Sequence, residues 1–262
     1  MRTVKLLSLV LLFSIMLNVT QAKAKQESSK SEQVFILVHG ATGGGWDWKE
    51  VALLLQQQGH TVYRPTLSGL GARTHLSKFD IDLSTHINDV VNLIKFEQLN
   101  NVILVGHSYG GMVITGVMDQ IPERLNHVTF LDAGVPEHGQ SAIDTWGTRF
   151  EDLDVKDGVV HFPWLDPNAE IPRDVPHPYK TLTEPVSYEN PKALALNVTY
   201  VAFVPEGMTN KQRSEDPSWA RAESRGWTMR TFAGDHTVYR VKAKEFVDML
   251  LSTSTDKNTL VD

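Results

Sequence analysis

The sequence predicts an α/β fold, with a mostly parallel sheet flanked by helices. Three observations carry that prediction. Strand-like runs alternate with segments of helical period, the strand runs are almost wholly apolar, and they stop at glycine, proline or polar residues. With 262 residues in all, the chain has the length of one such domain.

Each element follows from its residues. Val34-Phe35-Ile36-Leu37-Val38 has no polar member, as a strand buried on both faces requires, and it ends at His39-Gly40. A helix is expected over 46–58, with Trp48, Val51, Leu54 and Leu55 on one stripe and Gly59 as its stop. Residues 61–64 read as a strand closed by Pro65, and 68–74 as a glycine-bearing loop. Ile87, Val90, Val91 and Ile94 recur at helical spacing over 83–96. A strand over 101–105, a helix over 110–118 and a strand over 128–131 follow. Residues 134–196 are rich in proline, histidine and aromatics, lack a clear period, and read as a cap inserted over one end of the sheet. Strands resume at 199–204 and 227–232, and an amphipathic helix over 237–251 closes a single domain spanning 33–252, with 253–262 as a tail. Ligands in such sheets sit at the carboxyl ends of the strands.

Composition narrows the function. The chain holds 25 Lys+Arg against 31 Asp+Glu, a formal charge of −6, which offers no electrostatic footprint for nucleic acid. It has no cysteine, which excludes disulfides, a thiol nucleophile and thiolate metal ligands. Residues 1–24 combine Arg2 and Lys5, a short apolar run and the ending Ala22-Lys23-Ala24, as a secretory signal peptide does. A spanning helix needs roughly 20 apolar residues, and Ser8 and Ser14 interrupt this shorter run. Cleavage after Ala24, a polar tether over 25–32, export to the periplasm or medium and no stable membrane anchor are therefore expected.

The residues suited to chemistry are few. Gly106-His107-Ser108-Tyr109-Gly110 joins a predicted strand to a predicted helix, the context in which G-x-S-x-G forms a nucleophile elbow. Glycines are needed beside a turn that holds Ser108 clear of the sheet. The loop His39-Gly40-Ala41-Thr42-Gly43-Gly44-Gly45 follows the first strand. Acyl transfer needs two N–H donors for the oxyanion. Tyr109 would supply one, and Ala41, with Thr42 as the alternative, the other. No G-x-G-x-x-G and no Gly-Lys-Ser/Thr occurs in this loop, so a nucleotide site is not indicated. Of the ten histidines, His236 in Gly234-Asp235-His236 follows the final predicted strand and is the candidate base. The others include His60, His86 and His127, read as surface or strand-start residues, and His39 and His107, read as shaping loops. The acid that orients the base is expected just past the strand at 199–204, at Glu206. Asp132, one strand earlier, is the alternative. Asp235 adjoins His236, and neighbouring side chains diverge.

Together these motifs resemble the α/β-hydrolase superfamily, in the branch of plant hydroxynitrile lyases, plant methylesterases and related bacterial esterases. The resemblance rests on residues 35–40, 59–62, 67–76, 81–91, 102–112, 130–141 and 234–236, within 33–252. It implies an α/β-hydrolase fold with Ser108 as nucleophile, His236 as base, and Ala41 and Tyr109 as oxyanion donors. Members of the branch typically carry Asp where this chain has Glu206.

The expected activity is a serine hydrolase that cleaves a small to medium hydrophobic carboxylic ester through an acyl-enzyme, without cofactor or metal. Trp146, Phe162 and Trp164 of the cap, with Phe150 and Tyr179, are candidates to wall the substrate pocket. The alternatives are a lactone-specific or hydroxynitrile-lyase-like enzyme on the same residues, and last a non-catalytic ligand-binding relative. The lyase would need a lysine beside the base, for which Lys211 is the nearest candidate in sequence.

Overall fold

A computed structural model of the chain describes residues 32–77 and 80–255. The expected signal peptide and nearly all of the tether lie outside the described residues. Six parallel strands form the central sheet: β1 (Val34–Val38), β2 (Thr61–Tyr63), β3 (Val102–His107), β4 (Leu125–Leu131), β8 (Val198–Val204) and β9 (Thr228–Ala233). Their spatial order is β2-β1-β3-β4-β8-β9, with the expected α/β class realised in every crossover. The strand positions agree with the sequence expectation, shifted at their ends by up to three residues.

The unbroken apolar runs are explained by two cores, one on each face. Phe35, Leu37, Ile103 and Val105 face one core, and Ile36, Val38, Val102 and Leu104 face the other. Helix α1 (Lys49–Gln57) covers the first face with Val51, Ala52 and Leu55. Helices α2 (Leu83–Phe96) and α3 (Gly110–Gln120) cover the second, through Ile87, Val90, Val91, Met112, Val113 and Val117. The Asp82 carboxylate caps α2 by accepting from the Thr85 N–H at 2.8 Å.

The cap is not irregular throughout. It contains α4 (Ala142–Trp146) and a small antiparallel sheet of β5 (Val155–Lys156), β6 (Val159–Val160) and β7 (His177–Pro178). Helices α5 (Lys180–Thr183) and α6 (Pro191–Leu194) follow. The β5–β6 turn is Asp157-Gly158, both with positive φ (50° and 79°), the geometry that a two-residue hairpin selects.

Between β8 and β9 lie two helices that the sequence reading did not anticipate, α7 (Asn210–Arg213) and α8 (Pro217–Ser224). The expected last helix divides into a short 3-10 turn at Val238–Arg240 and α9 (Ala243–Thr255). Phe246, Val247 and Leu250 of α9 join α1 over the first core. The helix therefore extends into the expected tail, of which residues 256–262 lie outside the described part.

Candidate active site

The carboxyl ends of β1, β3, β4 and β9 converge on Ser108. It sits at φ 54° between the end of β3 and the start of α3, a left-handed conformation costly for a residue with a Cβ. The Ser108 N–H donates to the Leu131 carbonyl (3.2 Å), and its own carbonyl accepts from the Gly111 and Gly134 N–H groups (3.0 and 3.1 Å). The flanking glycines are steric necessities. A Cβ on Gly106 would stand 2.7 Å from Ile114 Cδ1 and 2.8 Å from the Gly110 carbonyl oxygen. A Cβ on Gly110 would stand 2.9 Å from the His39 carbonyl oxygen.

The loop after β1 lies against this elbow: a Cβ on Gly40 would stand 3.0 Å from the Ser108 Cβ. Of its two candidate donors, Thr42 is already engaged, its N–H pointing to Nδ1 of His177 at 3.2 Å. Among the described residues the N–H groups of Ala41 and Tyr109 donate no hydrogen bond, which leaves both for an oxyanion.

His236 is exposed, and its Nδ1–H donates to Oδ2 of Asp132 at 2.6 Å. That tautomer leaves Nε2 as an acceptor. The carboxylate bonded to His236 is thus that of the alternative candidate, Asp132: Glu206 is exposed and, among the described residues, makes no hydrogen bond to His236. Register explains the correction. The last β4–β8 rung is Leu131 with Val201, so Asp132 leaves the sheet at its edge, beside the elbow. Strand β8 continues three residues further to Val204 and carries Glu206 past that edge.

Asp132 is held at both oxygens. Oδ1 accepts from the Phe203 N–H at 3.0 Å and pairs with the Arg213 guanidinium. Burial pushes its carboxyl up, but the His236 hydrogen bond and the Arg213 charge outweigh burial and hold it below the ordinary range. Its φ of 46° is a second left-handed position beside the first.

Neutral histidines brace this arrangement. His107 donates Nε2–H to the His236 carbonyl at 2.8 Å, so the elbow itself anchors the loop that carries the candidate base. His39 donates to the Gly40 carbonyl (2.8 Å) and accepts from the Leu67 N–H (3.1 Å). His86, far from being a surface residue, is fully buried; it accepts from the Tyr109 hydroxyl (2.9 Å) and donates to the Ser68 carbonyl (2.8 Å). His60 and His127 are also buried. Burial holds His39 and His86 down to about 4 and takes His107 and His177 well below the ordinary histidine range.

Two cavities meet at Ser108, Trp146 and His236. One, of about 450 Å³, is walled by Ala41, Phe162, Trp164 and Tyr239, with Asp47, Asp174 and Arg240 at its margin. The other, of about 520 Å³, is bordered by Tyr200, Phe203, Met208, Gln212 and Arg213. Of the candidate wall residues, Trp146, Phe162 and Trp164 line the first cavity, while Tyr179 lines neither cavity and the Phe150 side chain lies outside the described residues. Lys211 is exposed on α7 and lines neither cavity. Arg213 had no motif to reveal it.

Residues 35–256 match the Alpha/beta hydrolase family. The chain belongs to that family. Over 107 residues it is 54% identical to a carbendazim hydrolyzing esterase of Nocardioides sp. (strain SG-4G), covering 41% of this chain and 44% of that one. Over 125 residues it is 35% identical to methylesterase 1 of Arabidopsis thaliana, covering 46% and 48%. The matched stretches span less than half the length of these relatives. Among solved structures, an extracellular alpha/beta-hydrolase from a Paenibacillus species described as sharing structural and functional homology with tobacco salicylic acid binding protein 2 superposes with a TM-score of 0.70. The match has 25% identity and covers 86% of this chain and all of that one.

Proposed function

We propose that this α/β hydrolase is an exported serine esterase that cleaves small to medium, largely hydrophobic carboxylic esters through an acyl-enzyme. The observation that carries the reading is the coincidence of a strained Ser108 and an Asp132-oriented His236 at the wall of one cavity. Ser108 Oγ attacks the ester carbonyl while His236 Nε2 takes its proton. The oxyanion rests on the Ala41 and Tyr109 N–H groups, each worth about 3 kcal/mol of barrier. Protonated His236 returns its proton to the leaving alcohol, and water activated by the same imidazole releases the acid. A cavity of about 450 Å³ with aromatic walls suits an ester of moderate size. The esterase names of the relatives support the reaction class, and the signal-like residues 1–24 support export.

The test is hydrolysis of p-nitrophenyl acetate and butyrate, with carbendazim as a probe taken from the named relative. Ser108→Ala and Asp132→Asn are expected to lower kcat by about 10³-fold or more, and Glu206→Gln to keep kcat within about twofold. Wild-type protein inactive on every ester, or full turnover in Ser108→Ala, overturns the reading.

A further inference from the structure

The residue that sequence reasoning missed lies behind the triad, where ester hydrolysis requires no cation. The Arg213 side chain is only 12% exposed. Its guanidinium pairs with Asp132 Oδ1, its Nε–H donates to the Phe203 carbonyl (3.0 Å), and its Nη1 meets Asp216 Oδ2 at 3.1 Å. Asp132 thus divides its charge between an imidazole on Oδ2 and a fixed cation on Oδ1. The segment after β8, where an acid was expected, delivers a counter-charge to the acid one strand away.

Two consequences follow from electrostatics. The guanidinium, itself held by the Phe203 carbonyl and Asp216, pins Asp132 Oδ1 through one nitrogen beside the Phe203 N–H, which steadies the carboxylate and with it the orientation of His236. A permanent positive charge on the far oxygen also opposes a second positive charge on the imidazole. We propose that Arg213 is a positioning residue that extends the active pH range of this enzyme downward, by setting how strongly Asp132 favours the protonated form of His236. This rests on the Ser108–His236–Asp132 reading above.

The other groups around the pair are accounted for. His107 is neutral and bonded to the His236 carbonyl. Asp235 turns to the Thr237 N–H at 3.1 Å, and Arg240 is taken by Asp47. Tyr200 and Tyr239 are held as neutral phenols by burial. Glu206 and Lys211 are exposed. Among the described residues Asp216 is the second carboxylate paired with Arg213, which gives the test two directions.

The experiment is the pH profile of kcat/KM on p-nitrophenyl butyrate for wild type, Arg213→Gln and Asp216→Asn. Arg213→Gln is expected to move the acid limb upward by about one pH unit. Asp216→Asn leaves Asp132 as the one carboxylate paired with the guanidinium and is expected to move the limb downward, while asparagine preserves the cap it gives to Ser218 N–H in α8. Limbs that stay at the wild-type pH in both variants, with only the plateau lowered, overturn the proposal and make Arg213 a structural tether. If Arg213→Gln does not fold by circular dichroism, Asp216→Asn decides alone, and an unmoved limb overturns the proposal. Turnover that survives Ser108→Ala is a different failure: it removes the esterase reading, and this inference with it.

Discussion

At Ser108 the backbone is bent into a left-handed turn, and everything near it must make room. Gly110 shows how little room there is: its absent Cβ would lie 2.9 Å from the His39 carbonyl oxygen and 3.0 Å from that of Val38. Both oxygens belong to backbone at the end of β1, which cannot rotate away as a side chain would. Gly110→Ala is therefore expected to destabilise the fold by roughly 1–3 kcal/mol, read as a lower urea midpoint at unchanged slope. It should also lower esterase kcat, because the displaced backbone carries both Ser108 and the Tyr109 N–H. A wild-type midpoint in this variant would mean that the elbow tolerates a methyl group and that its glycines are not steric necessities. His107 adds a link that works through the chain: the residue before the nucleophile holds the loop of the base by one hydrogen bond of 2.8 Å.

At the scale of elements, the cap meets the oxyanion loop through Trp164. Its Nε1–H donates to Thr42 Oγ1 (3.1 Å), and its ring stacks on Phe162 with centroids 4.4 Å apart. Trp164→Ala is expected to raise KM for p-nitrophenyl butyrate over acetate by about fivefold, equivalent to ~1 kcal/mol of lost apolar contact, with kcat changed less. An unchanged butyrate-to-acetate preference would reduce these aromatics to holding the cap together. The same elements show what was legible in the sequence. The buried strands and the elbow declared themselves because a run with no polar residue and a glycine-flanked serine each have one structural use. The Asp157-Gly158 hairpin went unread within the cap, because strands as short as Val155–Lys156 and Val159–Val160 carry no period. The acid was misplaced for a reason local patterns do not contain: which of two strand ends lies beside His236 depends on register and strand length across β4 and β8. Arg213 was invisible because its partners, Asp132 and the Phe203 carbonyl, are 81 and 10 residues away.

At the scale of the whole molecule, four buried histidines tie the site to stability. His39, His86, His107 and His177 each use a ring nitrogen as a hydrogen-bond acceptor, from Leu67, Tyr109, Tyr239 and Thr42 in turn, so each must be neutral in the fold. Burial holds the first two down to about 4 and the other two well below 6.5, whereas in the unfolded chain they titrate near 6.5. The unfolded state therefore binds more protons than the native state between about pH 4 and 6.5, and stability falls as pH falls through that window. Asp47 acts in the opposite sense: burial raises it from 3.8 to about 6, so between those values it binds a proton in the fold that it lacks in the unfolded chain. Four groups against one leave about three more protons on the unfolded chain near pH 5, so native stability falls on acidification by about 4 kcal/mol per pH unit there. Urea unfolding at pH 7.5, 6.5, 5.5 and 5.0 measures it. The midpoint should begin to fall between the first two values and drop steeply below them, well before the carboxylates held below their ordinary range, Asp82, Asp119, Asp132 and Asp144, begin to protonate. Replacing one of the four, as in His177→Asn, should make that drop shallower by close to one proton while lowering the midpoint at pH 7.5. A midpoint flat from pH 7.5 to 5.0 would mean that these imidazoles reach water in the native state, and that the neutral tautomers bracing the elbow, the oxyanion loop and the His236 loop are not what holds them in place.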